Sequence, residues 1–310
     1  MTRRLAAVAA AMTMLAWPAM AQIQMVVNFA AGGPTDLVGR MMQNEMSAAL
    51  GQPVVVRNAA GAGGTIGTAE AARARPDGQT ILLSPVGPMA IQPHFRPGLS
   101  YGLQNFAAIC QVADSPVVMM TPKTSGLRTV ADVITRARAE GEGFPFASTG
   151  AGSIPHISNV ALMRLAGVTM NHVPYRGSGE VMLAFQQGQV QLFTDQTLLI
   201  RQYDLHPIAF LTEARNPDFP QVPTMREQGY DLVYTIWTGL YAPVGTPEPV
   251  LARLEAACER TMRHPDVVAG MTRVAQPILY RNRRDFAAFS ESESEKFRAL
   301  IAAAGLRSAE

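Results

Sequence analysis

Cysteine is scarce in this sequence, with Cys110 and Cys258 the only two among 310 residues. They lie far apart and belong to no partner motif, which excludes a disulfide-dense scaffold and a cysteine-rich zinc site. Their alanine and isoleucine neighbours favour interpreting both as buried small hydrophobic residues. A single disulfide is the alternative if the protein meets an oxidising compartment.

The sequence also lacks an excess of charge of either sign. The formal net charge is +2 at pH 7, from 26 Lys and Arg against 24 Asp and Glu. A chain so nearly neutral lacks the basic surface that binds nucleic acid or an acidic membrane. We therefore expect no nucleic-acid partner.

Long apolar runs are missing except at the N-terminus. There, Arg3 and Arg4 precede an apolar run from Leu5 to Trp17, and Ala19-Met20-Ala21 closes it. This pattern predicts a secretory signal peptide over residues 1–21, with a signal anchor as the alternative. No other segment approaches the ~18 apolar residues that a membrane span requires. We expect a mature chain from about Gln22, exported into a periplasm.

The remaining chain alternates short apolar strands with helical patterns. At 48% hydrophobic residues it is long enough for two domains. The first cycle is strand 25–29, helix 35–50, strand 53–57, helix 65–75 and strand 80–84. The second is strand 117–121, helix 129–140, strand 144–148, helix 153–166, strand 170–175, helix 178–187, strand 190–194 and strand 208–211. A returning strand, 234–243, and two helices, 250–263 and 284–304, complete the chain.

This order predicts an α/β protein of two lobes, each a mostly parallel sheet flanked by helices. We place lobe 1 at 22–108 and 230–310, and lobe 2 at 109–229, so the chain crosses between them twice. Two hinge crossings in an exported protein describe a periplasmic binding protein fold, with the ligand between the lobes at the carboxyl ends of strands.

The turn after the first strand has the chemistry of an anion site. Gly32 and Gly33 allow a ligand to approach the backbone, and Pro34 suits the first position of a helix whose N–H groups point outward. A tight turn that binds nothing is the alternative. Other strand ends carry polar residues or glycines: Ser84, the segment 148–153, the segment 175–179 and Asp195. Ser153 and Ser178 also suit simple helix capping.

Several motifs in one order make the chain resemble the Bug family, the extracytoplasmic solute receptors of tripartite tricarboxylate transporters. They lie at 29–36 (FAAGGPTD), 50–56 (LGQPVVV), 58–67, 76–83 (PDGQTILL), 172–177 (HVPYRG), 188–190, 222–224 and 237–247 (WTGLYAPVGTP). The resemblance covers essentially the whole mature chain. Relative to the family pattern, the interval 195–208 is compressed, and Asn28 stands where proline is common.

The resemblance implies capture of a small organic acid, either a di- or tricarboxylate or an aromatic acid, and delivery to integral membrane permease subunits. It implies no cofactor and no metal, and we expect a monomer. The residues that it places around the ligand are Phe29, Ala31, Gly32, Gly33, Thr35, Asp36 and Ser84 from one lobe, and Ser148, Thr149, Gly152, Ser153, His156, Tyr175, Arg176 and Asp195 from the other.

Two alternatives stay open at this point. The same fold can signal to a sensor kinase instead of a permease. An exported hydrolase would use Ser84 or Ser148 as nucleophile and His156 or His172 as base, with Asp195 orienting the base. The sequence contains no Gly-x-Ser-x-Gly elbow, which disfavours the hydrolase.

Overall fold

The structure is a computed structural model that describes residues 22–304 and 306. The signal peptide predicted at 1–21 lies outside the described residues. Within the part of the chain that is described, no helix combines the length and the apolar character needed to cross a membrane.

Ten strands and ten α-helices make up the described chain. The strands are β1 (Ile23–Val27), β2 (Val54–Asn58), β3 (Thr80–Pro85), β4 (Phe106–Thr121), β5 (Pro145–Ser148), β6 (Asn171–Pro174), β7 (Leu192–Gln196), β8 (His206–Phe210), β9 (Thr235–Pro243) and β10 (Ile278–Arg281). The helices are α1 (Pro34–Leu50), α2 (Thr65–Ala72), α3 (Gln92–Phe95), α4 (Val130–Glu140), α5 (Ile154–Ala166), α6 (Ser178–Gln186), α7 (Leu198–Tyr203), α8 (Glu248–Met262), α9 (Pro265–Arg273) and α10 (Arg283–Ala304).

Local sequence signals explain where several helices begin and end. Helix α1 starts at Pro34 and stops at Gly51, whose left-handed backbone (φ 61°) suits glycine. Helix α4 starts with a capping box: Asp132 N–H donates to Thr129 Oγ1 at 3.1 Å, and Thr129 N–H donates to Asp132 Oδ2 at 2.8 Å. These signals place the helix ends close to the predicted positions.

The ten strands form one continuous sheet with two halves. The first half-sheet contains β2, β1, β3, β9, β10 and the N-terminal part of β4, and the second contains the C-terminal part of β4 with β7, β5, β6 and β8. Parallel pairs (β1 with β2 and β3, β5 with β6 and β7) lie toward the outer ends. Antiparallel pairs lie at the centre, around β4 and β9.

Strand β4 is much longer than the predicted strand 117–121. It pairs with β9 from Phe106 to Pro116, and then with β7 from Val117 to Met120. The predicted lobe boundary at 108/109 therefore falls inside β4, and the boundary at 229/230 falls shortly before β9. Apolar and polar residues alternate only weakly along 106–116, because most of these side chains are buried on both faces of the sheet. Hydrophobic periodicity therefore did not reveal this part of the strand.

Some elements were not predicted at all, namely α3, α7, α9 and β10. Helix α7 occupies the compressed interval after Asp195, where Leu198, Leu199 and Ile200 are buried against the second half-sheet. Six residues are too few for a recognisable helical period, so this helix depends on tertiary burial.

Cys110 and Cys258 form a disulfide, which corrects the favoured interpretation of two unpaired hydrophobic residues. Both are fully buried, as expected, in a cluster with Met25, Met42 and Leu254. The bond joins β4 to α8 across 148 residues of sequence. The apolar neighbours of the two cysteines predicted their burial. Their pairing could not be predicted, because it depends on how α8 packs on the sheet.

We predict that replacing both cysteines by alanine lowers the free energy of unfolding by about 2–4 kcal/mol, because the cross-link restricts the unfolded chain. Urea denaturation of the oxidised wild type and the double variant measures the difference. The wild type under reducing conditions is the matched comparison. An oxidised wild type that is no more stable than its reduced form would contradict the prediction.

Candidate functional site

A narrow cavity of about 40 Å³ lies between the two half-sheets. A buried water needs roughly 10–15 Å³ measured in this way, so the cavity holds only a few waters. Its lining residues are Phe29, Gly33, Pro34, Thr35, Pro85, Val86, Gly87, Thr149, Ser153, Ile154, Pro155, Ser178, Asp195, Gln196 and Ile236.

The carboxyl ends of five strands contribute to the cavity. Segments that end or follow β1 and β3 supply one wall, and segments that end or follow β5, β6 and β7 supply the other. The ligand crevice of open α/β sheets is expected at these strand ends. Tertiary structure therefore brings together loops that are more than 160 residues apart, from Phe29 to Asp195.

Three helices begin at the cavity. Gly33 is the N-cap of α1, Ser153 of α5 and Gly177 of α6, and none of these helices has a side-chain cap hydrogen bond. The first N–H groups of a helix lack partners within the helix and carry partial positive charge. The cavity is thus favourable for an anion, although the described residues that line it include no Lys or Arg.

The glycine turn before α1 is held by Asp36. Gly32 N–H donates to Asp36 Oδ2 at 2.9 Å, Arg40 Nε donates to the same oxygen at 2.9 Å, and Asn58 Nδ2 donates to Oδ1 at 3.0 Å. Burial raises the pKa of Asp36, but the hydrogen bonds from Arg40, Gly32 and Asn58 outweigh it, so the pKa is lowered. Asp36 therefore positions the turn, and the Gly32 amide is engaged within the protein.

The loop after β5 is stabilised by its own hydrogen bonds. Ser148 Oγ lies 2.6 Å from His172 Nε2 and accepts from Gly150 N–H at 3.1 Å. Ser153 Oγ donates to the Gly150 carbonyl at 2.7 Å. These bonds hold the loop so that Thr149 and Ser153 line the cavity while Ser148 is buried behind it.

Two histidines pack together behind this loop. The rings of His156 and His172 are 4.2 Å apart, and His156 Nδ1 accepts from Gly152 N–H at 3.1 Å. Burial lowers the pKa of His156 to about 3, with a contribution from His172, and burial lowers the pKa of His172 to about 4. Both imidazoles are neutral at pH 7 and support the loop.

Among the described residues that line the cavity, Asp195 alone is ionisable. It is 3% exposed, accepts from Ser178 Oγ at 2.6 Å and from Gln196 N–H at 2.9 Å, and has no ion-pair partner among the described residues. Burial raises its pKa to about 6, which the two hydrogen bonds only partly offset.

The residues predicted to surround a ligand fall into three groups in the structure. Those that line the cavity are Phe29, Gly33, Thr35, Thr149, Ser153 and Asp195. Those that belong to the same loops and strand ends without lining it are Ala31, Gly32, Asp36, Ser84, Ser148, Gly152 and His156. Tyr175 and Arg176 line a separate surface crevice with Gly63, Gly150 and Glu180. Which of them contact a ligand stays a prediction.

Other lining residues were not singled out from the sequence. Val86 and Gly87 follow β3, and Gln196 follows Asp195, so the strand-end rule would have found them with the observed strand bounds. Ser178 belongs to the strand-end segment 175–179, for which helix capping was the alternative, and its hydroxyl donates to Asp195. Ile236 comes from β9 and carries no local signal.

The two halves touch directly beside the cavity. A Cβ atom on Gly150 would lie 2.6 Å from Gly63 Cα, and Gln92 Nε2 donates to the Ala151 carbonyl at 2.6 Å. At another point, a Cβ on Gly177 would lie 3.0 Å from Ala30 Cβ. The structure is therefore in a closed arrangement, which these glycines allow.

The hydrolase alternative required Asp195 to orient a histidine. Ser148 does meet His172, but Asp195 bonds to Ser178 and to the Gln196 amide instead. The buried Ser148 also lies outside the cavity lining. The three residues are not arranged as a catalytic triad.

Comparison with known proteins agrees with this geometry. A family model described as "Tripartite tricarboxylate transporter family receptor" matches residues 38–306. Protein BugT of Bordetella pertussis (strain Tohama I) is 33% identical over 265 residues, which cover 83% of this chain and 81% of BugT.

Two solved structures have the same fold. The periplasmic binding protein BugD superposes with a TM-score of 0.87 at 31% identity, covering 92% of this chain and 98% of BugD. MatC of Rhodopseudomonas palustris with bound malate superposes with a TM-score of 0.86 at 30% identity, covering 90% of this chain and 98% of MatC. The predicted periplasmic binding protein fold and the resemblance to the Bug family are confirmed.

We predict that Gly150→Ala opens the cavity, because the added methyl group meets the Gly63 backbone. Small-angle X-ray scattering should give a larger radius of gyration than for the wild type. Gly188→Ala is the matched control, since Gly188 also has positive φ but its Cβ meets nothing within 4 Å. Both variants should lose about 1–2 kcal/mol of stability to backbone strain. Equal radii for the two variants would show that the contact does not limit opening.

We also predict that His172→Gln makes stability less sensitive to acid. The unfolded chain binds protons at these histidines below pH ~6.5 while the folded chain does not, so wild-type stability falls as pH decreases from 7 toward 4. After allowance for partial exposure of His172, the variant should lose about 1 kcal/mol less than the wild type between pH 7 and pH 5.

Urea denaturation at the two pH values measures this effect. Asp195 titrates in both proteins and cancels in the comparison. His206→Gln controls for removing an imidazole elsewhere. An identical pH dependence of the wild type and His172→Gln would refute the assignment of buried neutral histidines.

Proposed function

The chain belongs to the family of tripartite tricarboxylate transporter receptors, and from this premise we propose that it captures a small organic carboxylate between its half-sheets and delivers it to an integral membrane permease. Binding stabilises the closed arrangement because the ligand contacts both walls of the cavity. The two lobes, 22–108 with 230–310 and 109–229, then act as a hinged clamp.

The observation that carries the proposal is the convergence of three helix N-termini on a cavity lined by hydroxyl groups and no cation. Backbone N–H groups and the hydroxyls of Thr35 and Thr149 can donate to a carboxylate, while Ser153 Oγ shapes the loop by donating to the Gly150 carbonyl. Neutral donors bind an anion more weakly than an arginine pair does, which suits a receptor that must release its ligand.

The chemical class of the ligand follows from the family and from one relative. MatC holds malate, and a dicarboxylate or tricarboxylate suits the convergence of helix N-termini on both walls. An aromatic acid is the second candidate class, with Phe29 in the lining available to pack against a ring. We further propose a monomer that is exported to the periplasm through the segment 1–21, with no nucleic-acid partner.

We predict that carboxylates at millimolar concentration raise the melting temperature of the wild type, and that Gly33→Val and Ser153→Ala reduce this shift. With ligand at 100 times Kd, a stabilisation of about 2.7 kcal/mol is expected. Gly33 has an extended backbone (φ −81°) whose Cβ has room, so the larger side chain fills the space toward Ser178 without backbone strain. Thermal-shift screening over di-, tri- and aromatic carboxylates measures the effect.

Matched controls separate binding from folding. Gly143→Val introduces the same side chain at a glycine of the second half with room for a Cβ, and Ser158→Ala removes a buried hydroxyl within α5 outside the cavity. Both should keep the wild-type shift. Equal shifts in Gly33→Val, Ser153→Ala and the wild type would place the ligand elsewhere.

A further inference from the structure

The end of β7 places two residues with buried hydrogen-bond acceptors in the lining of the cavity. Asp195 and Gln196 both line it and are both 3% exposed. Oε1 of Gln196 is buried and has no hydrogen-bond partner within the described part of the chain. Buried acceptors without partners are unusual in folded proteins, so this one requires an explanation.

Asp195 also has unused accepting capacity. Each of its oxygens accepts one hydrogen bond from the protein, Oδ2 from Ser178 Oγ and Oδ1 from the Gln196 amide. A carboxylate can accept about four. Its negative charge has no ion-pair partner among the described residues, and an unpaired buried charge is destabilising unless a further donor reaches it.

Another part of the same cavity favours an anion instead of a hydrogen-bond donor. The N-termini of α1 and α5, at Gly33 and Ser153, favour a carboxylate. A carboxylate placed against Asp195 would meet a like charge. The cavity therefore has a donor-rich part that suits an anion and an acceptor-rich part that repels one.

We propose that Asp195 and Gln196 form a specificity subsite for a hydrogen-bond donor, so that this receptor selects carboxylic acids that also carry a hydroxyl or ammonium group. This inference rests on the proposed function, since it assumes that a carboxylate occupies the same cavity. The ligand places its carboxylate at the helix N-termini and its donor group against Asp195 and Gln196. Acids without a donor leave Gln196 Oε1 without a partner and the remaining accepting capacity of Asp195 unused, and they bind more weakly.

Isothermal titration calorimetry with matched acids tests the proposal. The comparisons are malate and aspartate against succinate, citrate against tricarballylate, and mandelate against phenylacetate, each differing by the hydroxyl or ammonium group. In the wild type, the acid with the donor should bind at least about tenfold more tightly than its matched acid. The separate results for malate and aspartate distinguish a hydroxyl from an ammonium ligand.

Asp195→Asn should reduce this preference to less than about threefold, because the amide keeps the size of the side chain but loses its charge and one acceptor. Gln196→Met removes the second acceptor at similar volume and should also reduce the preference, which keeps the test valid if Asp195→Asn does not fold. Asp114→Asn, on β4 outside the cavity lining, is the control and should keep the wild-type ratio.

The outcomes separate the inference from the proposed function. Wild-type protein that binds succinate, tricarballylate or phenylacetate as tightly as its matched acid would overturn the donor subsite and leave carboxylate capture intact. If both Asp195→Asn and Gln196→Met keep the wild-type preference for acids with a donor group, the donor subsite is likewise overturned and carboxylate capture stays intact. Failure of all seven acids to bind would overturn carboxylate capture and the subsite together.

Discussion

Strand β4 is shared by both half-sheets, and the geometry of the cavity depends on it. Its first part pairs with β9 and β10, and its last residues pair with β7 and β8. The disulfide from Cys110 to Cys258 anchors the first part of β4 to α8. Because the same strand belongs to both halves, a change in the angle between them must bend or twist β4.

Glycines at the boundary allow the two walls to approach. Gly63 and Gly150 touch through their backbones, and Gly177 lies against Ala30. Side chains at these positions would keep the walls apart, and the helix N-termini of α1 and α5 would then face separate volumes of solvent. Close approach places partial positive charges from both walls around one small space, where reduced hydration strengthens their effect on an anion.

Polarity within the cavity is uneven, and this unevenness arises from burial. The hydroxyls of Thr35 and Thr149 are neutral groups that can donate, whereas Asp195 is a buried acid whose pKa is raised to about 6. Histidines behind the β5 loop remain neutral and fix its shape through Ser148 and Gly152. The shape of the loop and the polarity of the cavity therefore depend on different residues.

The sequence by itself determined most of the strands and helices and their order, the glycine turn before α1 and most of the loops at the cavity, because these depend on local periodicity and on turn and cap chemistry. Tertiary structure alone decided the rest. The length of β4, the helix α7, the disulfide and the presence of Ile236 and Gln196 in the cavity depend on contacts between residues distant in the chain. The hydrogen bonds from the Gly32 amide to Asp36 and from the Ser178 hydroxyl to Asp195 were also decided by the tertiary structure. A hydrogen-bond partner depends on position in space and not on spacing in the sequence.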